Sequence, residues 1–298
     1  PFFEGRSLAV IGASTDPIKQ GGRPVRYSRL GGYKGKVYPI NPRATEVQGT
    51  PAYPSLDAVP GSVDCAFIAL PAPIVVDAVR DCAAKGVKAA VIISAGFAEI
   101  GGAGQKRQDE LVAIARDANM RLVGPNCMGL MDVKRRFFPT FVPLWRSEAD
   151  AGPKPGGLSI VSQSGALGAH IYDMARAKGV DIGKWVTTGN QCDVSVADCI
   201  AYFADDPGTE VIMVYMEGNR DPDRLIRALE RARSAAKPVV VLKVGRSQVG
   251  HAATLSHTGS LAGSDAAFDG LCRQFGVYRA HGIGDLMDVA AACMAGRY

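Results

Sequence analysis

The sequence predicts an α/β protein of two domains, each built on a parallel sheet, and three observations carry that expectation. Short β-branched and apolar runs alternate with amphipathic helical stretches along the chain, the pattern of repeated strand–helix–strand units. The 298-residue length exceeds one ordinary small domain and suits two. Hydrophobic residues make up 47% and charged ones 21%, enough apolar material for large cores and too little charge for a disordered chain.

In the first half, strands are expected at Ser7–Ile11, Lys36–Ile40, Val63–Leu70, Ala89–Ser94 and Arg121–Val123, with helices over Ile74–Lys85 and Gln105–Asn119. From Asp132 to Gly157 the rhythm breaks into Pro, Gly, aromatic and charged residues, as expected of a crossover between domains. It restarts with strands at Leu158–Ser162, Lys184–Thr187, Glu210–Met216 and Val239–Val244. Helices are expected over Ala166–Lys178, Val194–Phe203, Pro222–Ala235 and Ser264–Phe275. The expected division is therefore 1–131, a crossover at 132–157, and 158–298. No internal repeat or low-complexity segment interrupts it.

The net charge of +5 is mild, and the longest basic run is Lys134-Arg135-Arg136; this suits anionic small ligands and no nucleic-acid track. No apolar run approaches the roughly 20 residues that span a bilayer, and Pro1–Arg6 lacks a signal-peptide pattern. A start at Pro1 in place of Met is expected of a trimmed chain. The seven cysteines are scattered without CxxC spacing, which predicts a reduced, cytoplasmic protein with no metal site.

Ser7-Leu-Ala-Val-Ile-Gly12-Ala-Ser14 is a buried strand running into a glycine turn, a geometry that brings backbone N–H groups towards a phosphate. The dinucleotide fingerprint GxGxxG is absent, since the next glycines are Gly21-Gly22. An NAD enzyme usually places an acid at the end of the second strand to hold the ribose; this chain has Asn41-Pro42-Arg43 there. Arg43 can pair with a ribose phosphate, as in CoA or NADP, or be an ordinary loop arginine. Ile93-Ser94-Ala95-Gly96-Phe97 offers further small residues at the carboxyl edge of the sheet. In the second half, Ser162-Gln-Ser164-Gly165 leads from a strand into a helix. Hydroxyls and unpaired backbone donors at a positive helix end can seat a phosphoryl group, and Ser164 can also cap the helix.

Four histidines occur. His257 stands in Ser256-His257-Thr258-Gly259-Ser260, a run of small polar residues that fits neither strand nor helix and so reads as a loop. His170 falls in an expected helix, and His251 and His281 lack such a setting.

Taken in order, Val-Ile-Gly-Ala-Ser, Tyr-Pro-Ile-Asn-Pro-Arg, Ile-Ser-Ala-Gly-Phe and Gly124-Pro-Asn-Cys-Met-Gly129 resemble the CoA-binding domain of acyl-CoA synthetases (NDP-forming). Succinyl-CoA synthetase α subunits are more distant relatives. With Ser-His-Thr-Gly, the resemblance covers nearly the whole chain. It implies a Rossmann-like CoA-binding domain followed by a flavodoxin-like, doubly wound ligase domain. It also implies that Gly12, Ser14, Arg43, Ile93, Ser94 and Ala95 lie along coenzyme A, with Cys127 near its thiol and given no chemical step. In the second domain it implies that His257 is transiently phosphorylated and that Glu217, at the end of Val211–Met216, bonds the other ring nitrogen. Neutral imidazole is nucleophilic near pH 7 and leaves readily as a phosphoryl donor, while a carboxylate fixes its tautomer. Gly189-Asn190-Gln191 and Asp198 also follow the family pattern.

The chain has no GxxxxGK[ST] loop and no ATP-grasp domain. The resemblance therefore implies that ATP or GTP, with Mg, binds an ATP-grasp part on a partner subunit or a fused domain, within an oligomer of cytoplasmic location. Gly168-Ala169 stands where succinyl-CoA synthetase carries a tyrosine near its substrate, which leaves the carboxylic acid open. The expected reaction passes phosphate from nucleotide to His257 and then to a carboxylate, after which CoA thiolate displaces phosphate from the acyl phosphate. Two alternatives compete. A non-catalytic CoA-sensing module has no use for an intact Ser-His-Thr-Gly, and an NADP-dependent oxidoreductase leaves His257 and Glu217 without a role.

Overall fold

The structure, a computed structural model, describes residues 2–147, 149–244 and 265–296. It divides into two compact units, Pro1–Pro153 with Gly189–Val194, and Lys154–Thr188 with Ser195–Tyr298.

The first unit is a five-stranded sheet of β1 (Ser7–Ile11), β2 (Lys36–Ile40), β5 (Cys65–Ile68), β6 (Ala89–Ile92) and β7 (Arg121–Val123). The strands lie in the order β2-β1-β5-β6-β7, and all neighbours are parallel. Two-residue strands β3 (Glu46–Val47) and β4 (Thr50–Pro51) form a small hairpin after β2. Helices α1 (Arg23–Gly31), α2 (Ala72–Ala84) and α3 (Gly102–Asp117) make the connections. Ile11, Ile68 and Ile92 pack with Val75 and Val79 of α2 and Leu111 of α3 in one cluster. Residues on both faces of β1, β5 and β6 are buried, as a parallel sheet requires. Gly189–Val194 joins this unit because the Asp193 carboxylate accepts from Arg121 Nε and Leu122 N, both at 2.8 Å.

The expected crossover 132–157 contributes to the first unit beyond a linker's role. It follows β8 (Leu130–Asp132), and Tyr27 donates its hydroxyl to Val142 O at 2.8 Å while packing its ring 5.2 Å from that of Trp145.

The second unit holds β9 (Leu158–Ser162), β10 (Ile182–Thr187), β11 (Val211–Met216), β12 (Val239–Lys243) and β13 (Tyr278–Arg279). Their order is β13-β12-β11-β9-β10, again parallel throughout. The helices are α4 (Gly165–Ala177), α5 (Val196–Asp205), α6 (Pro222–Ser234), α7 (Asp265–Phe275) and α8 (Ile283–Met294). Ser195 and Asp198 close a reciprocal capping box on α5, and Asp221 caps α6 through Arg224 N. No described helix is long and apolar enough to cross a membrane.

Numbered along the chain within each unit, the parallel strands of both follow one order, 2-1-3-4-5. The short strands β3, β4, β8 and β13 and two helices lie outside the expected elements. Helix α1 buries only Pro24, Val25, Tyr27, Ser28 and Gly31, too mixed a set to show an apolar stripe, and α8 is an alanine-rich helix.

Candidate functional site

In the first unit, every expected site residue lies at or beside the carboxyl edge of the sheet. The order 2-1-3-4-5 reverses direction between β1 and β5, and ligands of open α/β sheets bind at such a switch point. Gly12 sits there with φ +84°, and a Cβ on it would stand 2.4 Å from Ala69 O, so a side chain is sterically barred. Ser14 follows, its hydroxyl accepting from Asp16 N at 3.1 Å.

Asn41 pins the end of β2 to this turn. Its Nδ2 donates to Ala13 O at 2.9 Å, and its Oδ1 accepts from Arg43 N at 2.8 Å and Ala44 N at 3.1 Å. Arg43 is exposed on the loop so formed, and its guanidinium has no partner among the described residues.

Ile93, Ser94 and Ala95 follow β6 with exposure rising from buried to open. The Ser94 hydroxyl donates to Leu70 O, and Ser94 O accepts from Asn126 N at 2.9 Å, which links the loops after β5, β6 and β7. Glu99 braces the same loop by accepting from the N–H groups of Gly96 and Phe97 and from Asn190 Nδ2. Burial alone would raise this carboxyl, but those hydrogen bonds outweigh it and hold Glu99 below the usual glutamate range.

Cys127 is 2% exposed, and its thiol donates to Ile92 O at 3.3 Å. Burial pushes it up to about 12, so at neutral pH it is a packed, protonated thiol with no nucleophilic character.

In the second unit, Ser162 ends β9 and Gly165 begins α4, with Gln163 and Ser164 as the two-residue turn between them. The buried Ser162 hydroxyl donates to Ser164 O at 2.6 Å, and Ser164 Oγ accepts from Leu167 N at 3.4 Å as the helix cap. The N–H groups of the first turn of α4 ahead of Leu167 have no intrahelical partner, so the cap leaves room for an anion. Gly168 packs against β10, where a Cβ would stand 2.8 Å from Thr187 Cγ2; that contact disfavours any larger residue.

Glu217 is 6% exposed at the end of β11. Its position depends on Gln163, which the sequence did not single out. Gln163 Oε1 accepts from Glu217 N at 2.8 Å and Gly218 N at 3.2 Å, while Gln163 N donates to Tyr215 O at 3.0 Å. The glutamate and the serine turn are thereby fixed side by side on adjacent strands, with Tyr215 in register with Ser162. Burial and the neighbouring Glu217 carboxylate, to which its hydroxyl is bonded, push Tyr215 above the usual tyrosine range. His257 lies outside the described residues. His170 is exposed on α4.

These features define a pair of doubly wound α/β units, each with its loops of interest at the carboxyl edge. Residues 6–132 match the family model described as a CoA binding domain, and residues 155–293 match that of a succinyl-CoA ligase like flavodoxin domain. The chain belongs to the acyl-CoA synthetase (NDP-forming) family.

Among its relatives is the α subunit of acetate–CoA ligase [ADP-forming] II of Pyrococcus furiosus, 40% identical over 292 residues, or 98% of this chain and 62% of that protein. Another is the 4-hydroxybutyrate–CoA ligase [ADP-forming] of Nitrosopumilus maritimus, 37% identical over 98% of this chain and 41% of that protein. A solved structure of Ca. Korarchaeum cryptofilum dinucleotide forming acetyl-coenzyme A synthetase 1, in complex with phosphate and ADP, is 38% identical with a TM-score of 0.90. The match covers 98% of this chain and 61% of that one. The chain thus spans about 62% of the length of the Pyrococcus furiosus relative.

Proposed function

We propose that this chain is the CoA-binding and phosphohistidine part of an acid–thiol ligase that forms acyl-CoA with release of ADP or GDP and phosphate. The observation that carries the reading is the Gln163 clamp, which fixes the buried Glu217 beside the capped start of α4. A carboxylate to orient an imidazole and a helix end to receive a phosphoryl group are the two supports a phosphohistidine needs.

In this reading residues 1–131 are the CoA domain, and CoA lies along Gly12, Ser14, Arg43 and Ile93–Ala95 with Cys127 in the wall beneath. Residues 158–298 form the ligase domain. There His257 takes the phosphoryl group, Glu217 holds the other ring nitrogen, and Ser162, Ser164 and Gly165 seat the phosphate. The phosphoryl group then passes to a carboxylate oxygen. CoA thiolate attacks the acyl carbon and phosphate leaves. ADP-forming relatives longer than this chain support an ATP-grasp part on a partner subunit or fused domain, holding ATP or GTP with Mg. The names of the relatives support small carboxylates such as acetate or 4-hydroxybutyrate as the acid class.

Phosphoryl mapping tests the reading. The isolated chain, given ATP and Mg²⁺, should stay unlabelled, because in this reading the ATP-grasp part is what positions a γ-phosphate against His257. With the ATP-grasp partner it should acquire an acid-labile, alkali-stable phosphoramidate that mass spectrometry maps to His257 and that His257→Ala abolishes. Phosphate on a serine or on another histidine would sink the mechanism.

A further inference from the structure

We propose that the opposite edge of the first unit's sheet, where its strands begin, is a binding cleft for a polyphosphate chain. A cleft of about 980 Å³ opens there, lined by Arg6, Lys34, Lys36, Lys134, Arg135 and Arg136, with Asp64 its one acidic residue. Six cations against one carboxylate leave a formal excess of five, equal to the net charge of +5 of the whole chain. The remainder of the protein is formally balanced, so the charge is concentrated in one concavity.

The local carboxylates are already occupied. Asp64 Oδ2 accepts from Arg6 N at 2.8 Å and Ser7 N at 3.1 Å. Asp132, just outside the lining, accepts from Arg135 N at 3.0 Å and stands 4.0 Å from its Nε. Arg136 Nη1 donates to Pro153 O at 3.4 Å. The side chains of Arg6, Lys34, Lys36 and Lys134 make no ion pair among the described residues, and all four are exposed. Holding so many like charges together costs self-repulsion, which a bound polyanion would relieve.

The shape favours a compact ligand. The cations come from three separate segments, around residues 6, 34–36 and 134–136, and converge on one hollow. A nucleic-acid track would instead extend along a face, and the volume is that of a small-molecule pocket. Gly32 and Gly61 lie on the rim at φ +69° and +117°, and nothing approaches closer than 4.0 Å to where a Cβ would be, so the mouth stays open. Tyr33 and Tyr38 line the hollow, Tyr33 being anchored by its hydroxyl on Gly5 O at 2.8 Å. The cleft is separate from the CoA residues proposed above. Arg6 and Gly12 stand at opposite ends of β1, about 20 Å apart along an extended strand.

The ligand class is a chain of linked phosphates, either inorganic or carried by a nucleoside. Calorimetric titration of the full chain with inorganic tripolyphosphate should give one site, weakened at least tenfold in Lys36→Glu/Lys134→Glu and steeply by added salt. Binding should persist in Arg43→Glu, which alters the carboxyl edge, and in Lys88→Glu/Lys106→Glu, which makes the same charge change elsewhere. All substituted positions are exposed, and circular dichroism should show each variant folded. A parallel titration with ATP separates the sources: tighter binding assigns a nucleoside polyphosphate, and equal binding assigns the phosphate chain alone. Absence of binding, equal binding by Lys36→Glu/Lys134→Glu, loss in Arg43→Glu, or tighter binding of a polyglutamate peptide would each overturn the proposal.

Discussion

In the first unit, residues 12–22 lie between the end of β1 and the start of α1, whereas in the second only residues 163–164 separate β9 from α4. The strand order on either side is the same, 2-1-3-4-5. The long loop folds back tightly on itself. A Cβ at Gly21 would stand 2.1 Å from Gly12 O, and one at Gly22 would stand 1.9 Å from Asp16 O. It delivers the chain to α1 through Gly22 with no side-chain cap. The short turn spends its two residues on a cap and a clamp: Ser164 holds Leu167 N, and Gln163 holds Glu217 N and Gly218 N. One sheet topology therefore yields two kinds of edge. A broad, looped edge suits a long ligand such as CoA, and a narrow edge aims one helix end at a compact anion.

The sharpest way to break this contrast is to remove the glycine that lets the long loop leave β1. Gly12→Val places a branched side chain at φ +84° and against Ala69 O. Urea unfolding should show a loss of about 3 kcal/mol together with loss of CoA binding. A stable, CoA-binding variant would mean that the turn is not what shapes that edge.

On the narrow edge, Gln163→Met keeps the volume and removes the acceptor, leaving the Glu217 and Gly218 N–H groups buried without a partner. The expected cost is about 2 kcal/mol, and phosphohistidine formation should fall with it. Stability unchanged from the parent would show that the clamp is incidental.

Ser164 sharpens the same point at smaller scale. Ser164→Ala should cost about 1 kcal/mol, and Ser164→Gly only a few tenths, as for other helix caps. Equal effects from the two would argue that the hydroxyl does not act as a cap.

The smallest expected effect concerns acid. Asp206 in the second unit is raised by burial but lowered more by Thr209 Oγ1 at 2.6 Å and Lys184 Nζ at 2.9 Å, and it lies below its ordinary value of 3.8. A depressed carboxylate contributes stability that is present above its ordinary value and lost as pH falls through the folded one. Glu99 in the first unit behaves alike, below its ordinary 4.5. Asp206→Asn should therefore flatten the fall in stability between pH 5 and pH 3, roughly the range over which carboxylates titrate. Glu99→Gln should do so too, and should also loosen the loop 93–97. A parent and variants with superimposable acid limbs would refute both assignments.

Much of this arrangement was legible in the sequence for a physical reason. Buried parallel strands write themselves as uninterrupted apolar runs, so Ser7–Ile11, Lys36–Ile40, Arg121–Val123 and Leu158–Ser162 fall where their patterns end. Helix α1 was not legible, since its buried face mixes Pro24, Tyr27, Ser28 and Gly31 with a single Val25. The carboxyl-edge residues could be named because strand ends can be located. Their supports could not. Gln163, Asn41 and Glu99 act by reaching across to a neighbouring loop, which depends on strand order and register, and neither is written locally.

Hydrogen exchange of the chain with and without CoA tests the division between the two edges most directly. Exchange should slow in the backbone of residues 12–22, 41–44 and 93–97, with the start of α4 at 165–168 little changed. Protection confined to 162–168 and the end of β11, with the first unit's loops unaltered, would contradict it.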